Sequence, residues 1–250
     1  MHVFAALITL LALAGCAGSG SDSSKPDTSV LLGTYTGILP CASCAGIRTD
    51  LWIYAEQPSG EPTRYALRET YIGTRDGDRT VERTGRLALT RGTANDREAT
   101  VYQLDSERPD GRRNFVRAGD NELRLLDREK RELPPSPPRS LYRAVTLAEG
   151  DSGKVIDVGP GERVIVRLAS NRTTGYSWAL LTSGSDALIR LASEYTQVVD
   201  AEGKPGAPGV ESWYFQAKGS GQQELRFEYR RPWERNAPAA KSTNYTIRVR

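Results

Sequence analysis

Residues 164–168 read Val-Ile-Val-Arg-Leu, and the apolar side chains of Val164, Val166 and Leu168 occupy alternate positions. Successive side chains of a β-strand point to opposite faces, so this alternation predicts a strand with one buried face. The same alternation returns four times before the C-terminus, at residues 176–180, 213–215, 225–229 and 245–249. Short strands at this spacing, with no sustained helical periodicity between them, predict a two-layer β-sandwich.

The first half of the chain follows the same rule. Alternating strand patterns occur at residues 47–53, 65–67, 87–89 and 123–125. Turn residues such as Asp76-Gly77 separate them, and many short strands with turn signals between them are typical of a barrel or a sandwich. We therefore predict an all-β protein, in which a small antiparallel β-barrel is followed by an immunoglobulin-like β-sandwich of about seven strands.

A polyproline stretch separates the two halves. Residues 133–139 read Leu-Pro-Pro-Ser-Pro-Pro-Arg, and proline lacks the N–H group that the interior of a sheet requires. Such a stretch favours an extended, stiff connection. The predicted organisation is a signal peptide at 1–15, a flexible tether at 16–29, a barrel domain at 30–133, a Pro-rich linker at 134–143 and a sandwich domain at 144–250.

The composition excludes several classes of function. His2 is the only histidine and lies in the segment predicted to be removed, so neither a Ser-His-Asp nor a Cys-His catalytic arrangement can form. The net charge is +3, and arginines alternate with acidic residues, which leaves no basic stripe for nucleic acid. We therefore expect neither an enzyme nor a nucleic-acid partner.

The N-terminus decides the expected compartment. Residues 3–14 form an apolar run that is too short to span a membrane and has the length of a signal-peptide core. The run ends in Leu-Ala-Gly-Cys at residues 13–16, which resembles the bacterial lipobox, in which the cysteine becomes the lipid-carrying N-terminus. The resemblance implies a lipid such as palmitate on Cys16, and Ala17 after it implies the outer membrane. We expect a cell-envelope lipoprotein that faces the periplasm or the cell surface, with the membrane as a partner through its lipid.

A pair of cysteines, Cys41 and Cys44, lies between two predicted strands. Three chemistries fit a CxxC pair: a disulfide that rigidifies a turn, binding of a soft metal such as Cu(I), and thiol–disulfide exchange. An oxidising envelope favours the disulfide, and two thiolates without a histidine or further cysteines form an incomplete zinc site. The pair therefore predicts a disulfide or a Cu(I) site, and no other cofactor is expected.

The residues around this pair resemble a known family. Residues 33–47 fit the pattern GxYxGxLPCxxCxGI and are followed by an alternating strand. This pattern, within a stretch of about residues 30–143, resembles the N-terminal domain of the NlpE copper-resistance lipoproteins, and residues 122–129 fit that family's last strand. The resemblance implies a small antiparallel barrel and a link to copper tolerance or envelope-stress sensing.

Three loops of the second half stand out. They are the first loop, residues 171–178 (Asn-Arg-Thr-Thr-Gly-Tyr-Ser-Trp), the second loop, residues 206–209 (Gly-Ala-Pro-Gly), and the third loop, residues 230–234 (Arg-Arg-Pro-Trp-Glu). Each loop also has a simple structural interpretation. Asn171 starts a glycosylation sequon, Gly175 fits a turn with positive φ, and Pro232 fits the end of a strand.

Together and in this order, the three loops resemble those of the chagasin family, which inhibits papain-type cysteine proteases. The resemblance covers about residues 144–250 and implies an immunoglobulin-like fold that binds a papain-like protease reversibly and without a covalent bond. The implied protease-binding residues are Asn171, Thr173, Thr174, Gly175, Tyr176, Gly206, Pro208, Gly209, Arg231, Pro232 and Trp233. Trp233 is interpreted as a large anchor, whereas Trp178 and Trp213 are interpreted as residues of the core or of the loop base.

These patterns predict a lipid-anchored, reversible inhibitor of papain-like cysteine proteases, in which three loops of the sandwich block the active-site cleft of the protease. A rigid sandwich suits this function because loops at one end of it bind with little ordering cost. The alternative is a copper-sensing or envelope-stress-sensing lipoprotein that uses Cys41 and Cys44.

Overall fold

The computed structural model describes residues 29–56, 59–108, 111–197, 208–234 and 237–250. Within these ranges the regular structure consists of fifteen β-strands and two short 3₁₀ helices, Glu149–Asp151 and Arg172–Thr174. In this described part, neither helix is long or apolar enough to cross a membrane. The predicted signal peptide, Cys16 and the tether up to residue 28 lie outside the described residues.

Eight antiparallel strands form a closed barrel in the N-terminal half. They are β1 (Ser29–Leu39), β2 (Gly46–Glu56), β3 (Pro62–Thr74), β4 (Gly77–Arg91), β5 (Thr100–Leu104), β6 (Arg113–Arg117), β7 (Glu122–Leu125) and β8 (Ser140–Leu147). Each strand pairs with its neighbours in sequence, and β8 also pairs with β1, where Thr36 lies opposite Tyr142. This last pairing closes the barrel and covers the edges that an open sheet would expose.

The apolar side chains of the alternating strands fill the interior of the barrel. Leu51 of β2, Leu67 of β3, Leu87 of β4 and Phe115 of β6 share one buried cluster. Burying each side chain of this kind contributes about 1.5–3 kcal/mol relative to leaving it exposed. The predicted antiparallel barrel is confirmed.

The C-terminal half is a sandwich of two four-stranded layers. Its new strands are β9 (Val155–Val158), β10 (Arg163–Ser170), β11 (Ser177–Gly184), β12 (Leu188–Gln197), β13 (Gly209–Ala217), β14 (Gly221–Arg230) and β15 (Lys241–Val249). One layer has the order β8-β10-β13-β12, and the other has the order β11-β14-β15-β9. The immunoglobulin-like class is confirmed, with eight strands where the sequence predicted about seven.

Inward side chains of both layers form the sandwich core. Val166 and Leu168 of β10 share one buried cluster with Phe227 of β14. The Trp213 ring packs on Phe227, with 4.8 Å between the ring centroids. Trp178 and Trp213 are each 5% exposed, so both are core residues.

Strand β8 belongs to both halves of the chain. Residues 140–143 of this strand pair with β7 and β1 of the barrel, and residues 144–147 pair in parallel with β10 of the sandwich. Residues 140–143, at the end of the predicted linker, therefore form part of strand β8, because their backbone groups are hydrogen-bonded to barrel strands. Within residues 122–129, strand β7 covers Glu122–Leu125, and β8 then closes the barrel.

Side chains of β2 contact the outer face of the β8-β10-β13-β12 layer. Arg48 forms an ion pair with Glu194 of β12 at 2.6 Å, and the Tyr214 hydroxyl of β13 donates to the same carboxylate at 2.6 Å. Burial, together with this hydrogen bond, raises the pKa of Tyr214, so the hydroxyl keeps its proton. Further along β2, Asp50 lies 3.8 Å from Arg167 of β10. Strand β2 therefore runs across the sandwich strands, from β10 to β12.

Candidate functional site

The three loops leave the sandwich at the same end. In each layer, a strand residue next to the first loop is paired with a strand residue next to another loop. The first loop follows Ser170 of β10, which pairs with Gly209, where the second loop ends and β13 begins. The first loop runs into β11, whose Ser177 pairs with Arg230 at the start of the third loop. The first loop therefore crosses from one layer to the other, with the second loop beside its start and the third loop beside its end.

The first loop is a 3₁₀ turn held by its own polar groups. The side-chain oxygen of Asn171 accepts hydrogen bonds from the backbone N–H of Thr173 at 3.2 Å and from the Thr173 hydroxyl at 2.6 Å. The Thr174 hydroxyl donates to the Asn171 carbonyl at 2.6 Å. Gly175 ends the turn at φ 81°, a left-handed conformation that costs other residues about 1–2 kcal/mol. The loop is therefore ordered before any partner binds.

Trp233 of the third loop lies directly on Gly175. A Cβ atom at Gly175 would lie 2.9 Å from Cζ2 of the indole and closer still to Cη2, so only glycine leaves room for the ring. The Trp233 side chain is nevertheless 66% exposed. A large apolar ring that is fixed on one face and open to solvent on the other is suited to anchor an interface.

Arg231 joins the third loop to the first loop. Its guanidinium group donates a hydrogen bond to the Thr174 carbonyl at 3.3 Å and lies 4.7 Å above the centre of the Tyr176 ring, a cation–π geometry. Arg231 also pairs with Glu234 at 2.9 Å. The hydrogen bond to Glu234 raises the pKa of Arg231, so this contact keeps its positive charge.

Tyr229, near the end of β14, supports both ends of the first loop. Its hydroxyl oxygen accepts a hydrogen bond from the backbone N–H of Asn171 at 2.9 Å. Its ring lies 5.2 Å from the Tyr176 ring in a stacked arrangement and 5.0 Å from the Trp178 ring, measured between centroids. One aromatic side chain therefore connects the beginning of the loop to its end.

A buried carboxylate, that of Glu211 in β13, holds the base of the first loop. Glu211 is 3% exposed and accepts hydrogen bonds from the Ser170 hydroxyl at 2.7 Å and from the backbone N–H of Trp178 at 3.3 Å. Its other oxygen pairs with Arg172 at 3.2 Å, and Arg172 lies 4.6 Å above the Tyr195 ring. A buried charge requires such partners, so this network fixes where the loop leaves the sandwich.

The second loop is described from Pro208 onward, and Gly206 lies outside the described residues. Pro208 is exposed, whereas Gly209 is buried at the start of β13. A Cβ atom at Gly209 would lie 2.5 Å from the Tyr195 ring and 2.6 Å from the Thr196 carbonyl oxygen. Glycine therefore allows β12 and β13 to approach each other at the base of this loop.

The structure gathers the described members of the predicted protease-binding set at this end of the sandwich. These members are Asn171, Thr173, Thr174, Gly175, Tyr176, Pro208, Gly209, Arg231, Pro232 and Trp233. Thr173, Thr174 and Pro232 are exposed, as is Trp233. A partner that approaches this end of the sandwich therefore meets the first loop, the third loop and Pro208 of the second loop.

Sequence reasoning did not identify Arg172, Glu211 or Tyr229 as part of this site. For Glu211 a signal was present, because it lies on the same strand face as Trp213, which the alternation predicts to be buried. A carboxylate on an apolar face requires hydrogen-bond donors. No local pattern shows that one of these donors is Ser170, which lies on another strand.

The barrel carries the second candidate site, the CxxC pair between β1 and β2. Cys41 and Cys44 form a disulfide, with their Cα atoms 5.3 Å apart. In this form the pair offers no thiolate, so Cu(I) binding here requires reduction first. The described residues contain no group of three or more His, Cys, Asp or Glu side chains that could hold a metal ion.

Each half of the chain is similar to known proteins. Residues 35–135 match the NlpE N-terminal domain, and residues 157–249 match the chagasin family peptidase inhibitor I42. Amoebiasin-1 of Entamoeba histolytica is 30% identical over 107 residues, which cover 42% of this chain and 97% of that protein. Lipoprotein NlpE of Escherichia coli is 24% identical over 222 residues, which cover 81% of this chain and 86% of that protein.

Among solved structures, a cysteine protease inhibitor of Entamoeba histolytica covers 43% of this chain and 96% of its own, at 20% identity and a TM-score of 0.40. The prediction that the protein is not an enzyme is confirmed by the matched family, which is one of peptidase inhibitors. Through residues 157–249 the chain belongs to the chagasin family of peptidase inhibitors, and its residues 35–135 match the NlpE N-terminal domain.

Proposed function

We propose that the protein is a lipid-anchored, reversible inhibitor of papain-like cysteine proteases, and that its three loops block the active-site cleft of the protease. The observation that carries this proposal is the row formed by the second, first and third loops, which we call the loop ridge. The paired positions Ser170–Gly209 and Ser177–Arg230 set this order. Membership of residues 157–249 in a family of peptidase inhibitors supports it.

The loop ridge suits a narrow cleft. At its centre Thr173, Thr174 and Gly175 carry small side chains, so their backbone can approach a catalytic thiol closely. The hydrogen bonds of Asn171 and the buried carboxylate of Glu211 hold this backbone in place, so binding costs little conformational entropy. Exposed Trp233 then supplies a large contact area at the edge of the cleft.

Inhibition of this kind is reversible. The described part of the chain has two cysteines, Cys41 and Cys44, and they are joined to each other in the barrel. The described residues of the loop ridge therefore offer no thiol that could form a bond with the protease. Its affinity comes from packing and hydrogen bonding, which are lost on dilution.

The inhibition assay uses the chain from residue 17 to residue 250, which keeps β8 with both of its partner domains. Papain hydrolysis of a small peptide substrate is measured at rising concentrations of this chain, whose folding is checked by circular dichroism. We expect competitive inhibition, in which the apparent inhibition constant rises with substrate concentration and activity returns on dilution. A chymotrypsin-type serine protease serves as the control and should stay active. Papain that stays fully active at micromolar inhibitor would contradict the proposal.

We further propose that Cys16 carries the lipid and that the protein works in the cell envelope. The Leu-Ala-Gly-Cys motif at residues 13–16 supports this, as does the similarity to a protein named Lipoprotein NlpE over 81% of the chain. In cells grown with labelled palmitate, the wild-type protein should carry the label and sediment with membranes. The Cys16→Ser variant should carry none, and a labelled variant would refute lipidation at this residue.

A second candidate function belongs to the barrel. Residues 35–135 match the NlpE N-terminal domain, and two exposed residues, Ala42 and Ser43, separate Cys41 from Cys44. We propose that this pair, once reduced, binds Cu(I), because soft thiolates select that ion. Titration of the reduced chain with Cu(I) is compared with the Cys41→Ser/Cys44→Ser double variant, and equal uptake by both proteins would remove the metal role.

A further inference from the structure

The barrel and the sandwich form a groove of about 600 Å³ between them. Its barrel wall consists of two residues of β2, Arg48 and Asp50, and one face of the β3–β4 hairpin. On that face the hydroxyls of Thr70 and Thr80 lie 3.0 Å apart. Its sandwich wall includes Thr196 of β12 and Val210 of β13, which pair with each other. The residue of β13 that precedes Val210 is Gly209, so the groove reaches the base of the second loop.

The hairpin lies on the loop side of β2. Strand β2 crosses the sandwich strands, as shown by the contacts of Asp50 with Arg167 and of Arg48 with Glu194. On the other side of β2, β1 lines a separate groove near Arg163, the first residue of β10 and the one farthest from the loops. From the far end of the sandwich to its loop end, the order of barrel strands is therefore β1, β2, β3 and β4.

This order extends the loop ridge by one segment. The ridge passes from the third loop on one layer, through the first loop, to the second loop on the other layer. Beyond Gly209, where the second loop ends, the β3–β4 hairpin lies across the groove. A partner that covers the second loop and continues in the same direction meets the hairpin next.

The hairpin presents a polar and open surface to such a partner. All residues from 75 to 80 are exposed. The hairpin keeps its shape through an ion pair between Arg68 and Glu82 at 2.7 Å and through a hydrogen bond from the Gly73 N–H to the Asp78 carboxylate at 2.8 Å. A preordered polar segment beside a binding ridge has the character of an interface rim.

We propose that the β3–β4 hairpin is a fourth contact segment for the papain-like protease that the loop ridge binds, an inference that rests on the proposed function. A stable protein–protein interface takes about 20–30 residues from each partner. The resemblance assigns eleven residues to the three loops, so a complete interface needs further surface beside them. Polar rim contacts govern partner choice and association rate, so the barrel takes part in selecting the protease.

Two matched substitutions on β4 test this contact in the chain of residues 17–250. Thr80→Arg places a long side chain in the groove wall, whereas Thr84→Arg places the same side chain about 13 Å along the same strand face. Both threonines are exposed, and Thr84 lines a different groove, near Thr63 and Asp105. We expect Thr80→Arg to raise the inhibition constant for papain at least tenfold and Thr84→Arg to change it less than twofold. An unchanged constant for Thr80→Arg would overturn the fourth contact.

Hydrogen exchange on the unsubstituted chain gives a second test that does not depend on a variant folding. With papain added, backbone amides of residues 73–80 should exchange more slowly, together with those of residues 171–176. Residues 92–98, in the connection between β4 and β5, should exchange as before. Protection of the loops without the hairpin would overturn this inference and leave the proposed function standing. A wild-type chain that does not inhibit papain would overturn both.

Discussion

The indole of Trp233 occupies the space that a side chain at Gly175 would need, because a Cβ atom there would lie 2.9 Å from Cζ2 of the ring. The two residues come from different loops, and Gly175 also has a left-handed φ of 81°. The distance between the first and third loops is therefore set by a residue that has no side chain.

Replacement of Gly175 by alanine should weaken inhibition of papain beyond its effect on stability. The new methyl group displaces the indole of Trp233, and the left-handed φ adds strain of about 1–2 kcal/mol. Inhibition constants and denaturant midpoints measure the two effects separately. Gly161→Ala is the matched control, because its φ is 80°, nothing lies within 4 Å of its Cβ position, and it precedes β10 at the far end of the sandwich. Equal inhibition by the two variants would show that this contact does not position the ridge.

Truncation of Trp233 to alanine should weaken inhibition by roughly 2 kcal/mol, which is about thirtyfold in the inhibition constant, because a fixed aromatic anchor loses its contact area. The Trp233 side chain is 66% exposed, so the stability of the free protein should change little. Leu181→Ala, which removes a 47% exposed side chain from the middle of β11, is the control and should inhibit like wild type. If both variants inhibit equally, Trp233 is not an anchor.

Glu211→Gln should loosen the first loop while preserving the shape of the side chain. One carboxylate oxygen accepts hydrogen bonds from the Ser170 hydroxyl and the Trp178 N–H, and the other oxygen pairs with Arg172 at 3.2 Å. An amide has one acceptor oxygen, so its NH₂ group faces either the Arg172 guanidinium or the other two donors, and one set of contacts is lost. We expect a loss of about 1–3 kcal/mol in the free energy of unfolding and faster hydrogen exchange in residues 171–176. Glu224→Gln, on β14 with one hydroxyl contact at 3.1 Å, should show neither change. A Glu211→Gln protein as stable as the Glu224→Gln protein would contradict this role.

The free energy of unfolding should fall in acid, because the ion pair between the parallel strands β9 and β15 weakens. The hydrogen bond from Arg248, helped by the charge of Arg250, lowers the pKa of Asp157 in the folded protein. Because the folded pKa lies below the unfolded value of about 3.9, this stabilisation is present above that value and is lost as the pH falls through the folded pKa. Denaturant midpoints at pH 7 and pH 2.5 should therefore differ less for Asp157→Asn than for wild type. Asp76→Asn, at the exposed turn between β3 and β4, should behave like wild type.

The barrel and sandwich strands were predictable because burial follows a period of two along each strand. Leu51, Leu67 and Trp213 are buried as that period requires. The shared strand β8 was not predictable, since residues 140–143 follow a proline stretch and gain partners in the barrel only after the chain has folded back.

At the candidate site, the three loops were identifiable from their residue types and their order along the chain, but their order in space was not. The pairs Ser170–Gly209 and Ser177–Arg230 supply that order, and each joins strands that are distant in sequence. Strand pairing of this kind depends on the register of whole sheets, which a local pattern does not contain.

By itself, the sequence determined that the chain is all-β, which faces of the strands are buried, and which loops carry small residues or a tryptophan, because these properties depend on neighbouring residues alone. Only the tertiary structure decided that one strand serves both halves, that Glu211 holds the first loop and that Trp233 rests on Gly175. Each of these is a contact between separate segments of the chain, and such contacts form only when packing brings the segments together.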